Sequence, residues 1–147
     1  MKDRSPGRRG AFDGFGETFG QPRGTVGRPC PSAAPGGRRV GGIDFGFRNP
    51  FAALWGVVDR DDVLWLTGEH YERSRPLSHH ATKLPRGVRC YADPSGAGEI
   101  SELKRAGFSI SAGPNALRQG IAAVTARLHS GRLKVLPGAC PNLLAEA

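Results

Sequence analysis

The chain is poor in the features that would place it quickly. It has three cysteines, Cys30, Cys90 and Cys140, odd in number and far apart, with no CxxC pair. That pattern excludes a disulfide framework and a zinc knuckle. No apolar run reaches the roughly 20 residues that a membrane helix needs, and no apolar segment follows the basic start as in a signal peptide. No GxxxxGK[ST] phosphate loop occurs, which excludes the nucleotide chemistry of that motif. No internal repeat is visible. The expectation is a reduced, soluble, cytoplasmic protein that engages neither membrane nor nucleotide.

What is present falls into two unlike parts. Residues 1–39 hold eight Lys/Arg (Lys2, Arg4, Arg8, Arg9, Arg23, Arg28, Arg38 and Arg39) against the acids Asp3, Asp13 and Glu17. Gly and Pro crowd this stretch, and no apolar period is sustained. Such a segment buries too little surface to offset its ordering entropy, so residues 1–38 read as a disordered leader. Residues 39–147 suffice for one modest core. The net charge of +8 favours a polyanionic partner such as nucleic acid.

The apolar pattern begins at Val40 and predicts a strand to Asp44. After the Asn49-Pro50 turn, Phe51–Val58 (FAALWGVV) is nearly continuous in apolar residues, as in a strand covered on both faces. Asp59–Asp62 is a charged turn, and Val63–Tyr71 predicts a third strand. Short links make these three an antiparallel meander. A short helix is expected near Leu77–Lys83, a strand at Val88–Ala92, a helix at Ala97–Ala106 and a strand at Phe108–Ser111. Asn115 is a plausible N-cap for a helix through Ser130, whose stripe of Leu117, Ile121, Val124 and Leu128 predicts a core face. A short strand at Leu133–Leu136 and a helix from Asn142 close the chain. Three antiparallel strands followed by strand–helix–strand is the ribonuclease H-like layout, an α/β fold with a mixed sheet flanked by helices.

Asp44 and Asp93 each end a strand and precede turn-forming residues. In this layout their strands are parallel neighbours, about 4.8 Å apart. Carboxylates leaving the same ends of such strands can share Mg²⁺ or Mn²⁺, hard ions suited to carboxylate oxygens and water. A pair of such ions about 3.5–4 Å apart supports phosphodiester cleavage. The plainer alternative is that each Asp caps a turn or a helix start.

The wording around these acids goes further. Gly42-Ile-Asp44-Phe-Gly46-Phe-Arg-Asn49-Pro50 resembles the opening of the nuclease domain of phage terminase large subunits. Tyr91-Ala-Asp93-Pro-Ser95 followed by Ile100-Ser-Glu-Leu103-Lys-Arg-Ala-Gly107 resembles its second acidic motif and the helix after it. Gly120-Ile121, Gly131-Arg-Leu133-Lys-Val135 and Cys140-Pro-Asn142-Leu-Leu-Ala-Glu146 continue the resemblance in order, so that it runs from about residue 40 to the end. It implies a metal-dependent endonuclease with Asp44 and Asp93 as catalytic metal ligands, a two-metal site, double-stranded DNA as substrate, and terminase or portal components as partners in a host cytoplasm. It also implies a further acid, after a Glu that Glu146 resembles. No residue matches that acid, so the expectation is a domain incomplete at its C-terminus, with Glu146 or Glu69 as substitutes.

Arg48, Arg73 and Arg75 fall in loops beside the acidic end and are candidates to hold the nucleic-acid backbone, or are ordinary solvated charges. His79 and His80 are candidates to touch phosphate or metal, but they point about 100° apart on a helix, form no paired ligand, and read more readily as surface residues. Two other functions compete. The domain can bind DNA or a protein without cutting. Gly-Ile-Asp-Phe-Gly is also similar to the first phosphate loop of actin-like and sugar kinase ATPases, although Phe47-Arg48-Asn49 stand where those place Ser/Thr.

Overall fold

A computed structural model of the protein describes residues 37–147. The leader expected over residues 1–38 lies outside the described residues except at its end, where Arg38 already opens the first strand opposite Val58. Strands β1 (Arg38–Asp44), β2 (Phe51–Val58) and β3 (Leu64–Glu72) form the expected antiparallel meander. Then come α1 (Leu77–Lys83), β4 (Arg89–Ala92), α2 (Ala97–Arg105), β5 (Ile110–Ala112), α3 (Leu117–His129), β6 (Leu133–Val135) and α4 (Pro141–Glu146). The six strands make one mixed sheet in the order β5-β4-β1-β2-β3-β6. Strand β4 pairs in parallel with β1 and β5, and β6 in parallel with β3. Among the described residues no helix is long and apolar enough to cross a membrane.

The core lies on one face of this sheet. Ile43, Phe51, Ala53, Cys90, Ala92 and Ile110 of the strands pack with Leu84, Val88, Ile100 and Leu103. Phe51 and Leu103 are both 1% exposed, and burial of such a side chain contributes about 1.5–3 kcal/mol. On β2 the continuous apolar run predicted cover on both faces; Phe51 and Ala53 are buried, whereas Ala52 and Leu54 are only half-buried. The β2–β3 ladder shifts register between Trp55 and Gly56 and leaves Thr67 outside the pairing. A Cβ on Gly56 would lie 2.1 Å from the Trp65 carbonyl oxygen, so this bulge requires glycine.

Helix α3 departs from expectation. Its apolar stripe, predicted to be core, is exposed: Leu117 by 77%, Ile121 and Leu128 by 58% and Val124 by 50%. Ala116 rather than Asn115 holds the cap position at its start, with no side-chain capping bond from that residue. The helix is anchored instead at its far end, where Arg127 and Arg132 pair with Asp62 at 2.8 and 3.2 Å. A groove of about 700 Å³ separates its apolar face from β1 and β4.

Candidate functional site

Alternation along β1 puts Ile43 into the core and Asp44 on the other face, at the strand's C-terminal end. The parallel register pairs Ile43 with Ala92, so Asp93 leaves the neighbouring strand at the same level. Both carboxylates are exposed. Both line the large groove under α3 and also a smaller recess of about 260 Å³ shared with Ser95 and Glu99. Asp93 takes up the turn role as well: its Oδ1 accepts the Ser95 backbone N–H at 2.7 Å. Hydrogen bonding from Ser95, side chain first and then backbone, holds the Asp93 carboxyl below its ordinary value, so it is ionised at neutral pH.

Phe45, the residue after Asp44, ties the two segments together. A Cβ on Gly96 would lie 2.4 Å from Cδ2 of its ring. The ring also sits 6.1 Å from that of Phe51, centroid to centroid. A half-buried aromatic packed against the core thus seats the Asp44 strand end against the Asp93 turn. Glu99, in the first turn of α2, is a member of this recess that the sequence did not single out. Its only sequence signal is its place six residues after Asp93, one helical turn beyond the Pro-Ser-Gly bend.

The other candidate acids gather elsewhere on the same sheet face. Glu69 accepts the backbone N–H groups of Asn142 at 2.6 Å and Leu143 at 3.0 Å, together with the Asn142 side-chain amide at 2.7 Å. Burial pushes its pKa up, but these hydrogen bonds outweigh it and leave the carboxyl below its ordinary value. It therefore caps the start of α4. Glu146 accepts the Tyr71 hydroxyl, which raises the phenol pKa. Glu69 and Glu146 line one small cavity with Tyr71 and Leu143, and neither lines the recess of Asp44 and Asp93.

Arg48, Arg73 and Arg75 come from two loops joined by a hydrogen bond from the Ser74 N–H to the Phe47 carbonyl, 3.3 Å. All three are exposed. The β1–β2 loop leaves β1 directly after Asp44, so this basic group borders the acidic end. Arg75 is partly engaged, with Nε 2.9 Å from Glu72.

His80, read as a surface residue, is 1% exposed. The α1 helix turns it inward onto the Phe51 ring, stacked at 4.1 Å and 8°. Its Nδ1 lies 2.9 Å from Nε2 of His70 on β3. A helix of seven residues is too short for its sequence period to reveal which side packs. His79 is half-exposed and bonded to Glu72 at 2.9 Å.

Comparison with known proteins completes the picture. No curated protein matches the sequence. Among solved structures, the nuclease domain of the P22 large terminase is similar at 19% identity and a TM-score of 0.63, over 71% of this chain and 64% of that one. The large terminase of a thermophilic bacteriophage is similar at 17% identity and a TM-score of 0.62, over 78% of this chain and 31% of that one. The chain thus spans less than two thirds of either relative, and at these identities the likeness shows a shared fold. A family model described as the terminase RNaseH-like domain matches residues 41–147. That match includes the Gly-Ile-Asp-Phe-Gly segment and every described candidate residue, and the chain belongs to the terminase RNaseH-like domain family.

Proposed function

We propose that this domain is a divalent-metal-dependent DNA endonuclease, the cutting part of a viral or prophage-derived DNA-packaging enzyme. One observation carries the reading: the parallel β1–β4 pairing delivers Asp44 and Asp93 to one recess at one end of the sheet. The donors there are carboxylates, with Glu99 beside them, which fits Mg²⁺ or Mn²⁺. Bound there, such a cation supplies Lewis-acid activation of water and of the phosphate. Asp44 and Asp93 would hold it, and Glu99 is the candidate for the ligand that two aspartates leave missing. The Asp93 turn fixes one carboxylate in position through Ser95. Arg48 and Arg73 bind phosphates of double-stranded DNA without reading sequence. Terminase or portal components in the host cytoplasm are the corresponding partners.

The exposed stripe of α3 favours a second reading, in which the domain docks a protein through that face and does not cut. A plasmid-nicking assay separates the two. The expected result is weak, sequence-independent nicking, stronger with Mn²⁺ than with Mg²⁺, abolished by EDTA and by Asp44→Asn or Asp93→Asn, and reduced by Glu99→Gln. Glu69→Gln and Glu146→Gln test the alternative third acids. Folded protein without metal-dependent nicking supports the binding reading; nicking that survives Asp44→Ala places the active site elsewhere.

A further inference from the structure

Three of the four histidines of the chain, His70, His79 and His80, meet at the junction of β3 and α1. This cluster lies on the opposite sheet face from Asp44. On β3, His70 stands opposite Ala53 of β2, and Glu72 opposite Phe51, and both of those partners are buried in the core. Ligand atoms of His70, Glu72 and His80 all lie within 4.8 Å of one another. We propose that these three side chains form a second cation site, suited to Zn²⁺ or a similar borderline transition ion.

The donor chemistry argues for it. Two imidazoles and a carboxylate are a common set for zinc, whereas magnesium and calcium prefer oxygen alone. The 2.9 Å between His70 Nε2 and His80 Nδ1 is a few tenths of an ångström short of the roughly 3.3 Å between two nitrogens bound tetrahedrally at about 2.0–2.1 Å, and the two rings, hydrogen-bonded to each other, would turn toward a shared ion. The carboxylate of Glu72 is already oriented: Arg75 Nε and His79 Nε2 each hold one of its oxygens at 2.9 Å. Outer partners of this kind fix the geometry of metal ligands.

The packing argues for it too. His80 is a costly choice for a core position, because among the described residues its Nε2 is buried without a hydrogen-bond partner, a cost that an ion on Nδ1 would not itself relieve. A Leu would fill the same space against Phe51 at less cost. A cavity of about 160 Å³, lined by Phe47, Arg75, Pro76 and His80 among others, opens onto the His80 ring, although neither His70 nor Glu72 lines it. The site would also repair a weakness. Helix α1 has seven residues, no side-chain N-cap and no acid in its first turn, so it depends on tertiary ties. An ion bridging His80 to β3 would pin it beside Phe51.

The test uses the full chain, stripped with EDTA and returned to excess Mg²⁺. Calorimetric titration should show one Zn²⁺ bound per chain and a raised melting temperature. Co²⁺ should give the visible absorption of a nitrogen-ligated ion. Glu72→Gln and His70→Gln should weaken Zn²⁺ binding by about 100-fold or more. Asp44→Asn and Cys30→Ser should bind as wild type. Glu72 is partly exposed, so its variant reports binding even where His80→Gln fails to fold. No uptake by wild type, equal uptake by Glu72→Gln, or loss of uptake in Asp44→Asn would each overturn the proposal.

Discussion

The contact between Phe45 and Gly96 is the physical link between the two segments that carry Asp44 and Asp93, and it can be broken with one methyl group. In Gly96→Ala the new Cβ would lie 2.4 Å from Cδ2 and 2.8 Å from Cε2 of the ring. Neither distance is tolerable, and the ring is held from behind by Phe51. Overpacking of this kind costs about 1–3 kcal/mol. Phe45→Ala alone, at a half-buried ring, should cost roughly 2 kcal/mol, about half the loss for a fully buried Phe. In the double variant the methyl meets open space, so the two costs should fall short of their sum by about 1–3 kcal/mol. Urea denaturation of the four proteins measures this coupling. Manganese titration of the same four should show that Gly96→Ala weakens binding at the acidic end and that Phe45→Ala in the same chain partly restores it. Costs that add to within about 0.5 kcal/mol would refute the clash and the seating role assigned to Phe45.

Two further outcomes follow from charge and burial. Burial first, then the neighbouring imidazole, holds His70 below its ordinary value of 6.5, and burial followed by His79 does the same for His80; Glu72 opposes both shifts, and Lys83 adds to that on His70. The unfolded chain therefore takes up protons near pH 6.5 that the native state refuses. Stability in EDTA is then full above that range and falls as the pH drops through it. Urea midpoints at about pH 7.5 and 5.5 should show this fall, and His80→Gln should flatten it; a pH-independent midpoint in wild type would contradict the neutral imidazole pair. On α3, Ile121→Asp should change stability by less than about 0.5 kcal/mol, because the side chain is 58% exposed. A loss of several kcal/mol, read by the same urea curves, would mean that the stripe is buried in solution.

The sequence carried the sheet well because strand boundaries are written locally. FAALWGVV is bounded by Asn49-Pro50 and the acidic turn, and β2 runs over the same eight residues. Asp44 and Asp93 were legible for the same reason, since an acid followed by turn residues marks a strand end. Relations between faces were not legible. The period of Leu117, Ile121, Val124 and Leu128 says that one face of α3 is apolar, and nothing in it says whether the sheet comes close enough to cover that face. His80 is the converse case, a polar residue whose burial is decided by Phe51 and His70 from other strands. Glu69 read as solvent-facing or catalytic, and its three bonds to the start of α4 come from residues more than seventy positions away. Glu99 escaped notice because a glutamate in a first helical turn is ordinary there.

The pairing of Val40 with Arg89 has a consequence for timing. The meander of β1, β2 and β3 closes through short turns and can form early, whereas β4 must first clear α1 and its loops before it docks on β1. Non-local parallel pairing is the slow step in such a topology. Until it happens, Asp44 is an isolated carboxylate at the end of an edge strand, and Asp93 is elsewhere in a mobile chain. A chain emerging from synthesis, or one opened at β4 by heat or denaturant, would hold both aspartates and neither the recess nor its chemistry. The acidic centre is thus self-timed: it comes into being when β4 joins β1 and dissolves when the two part.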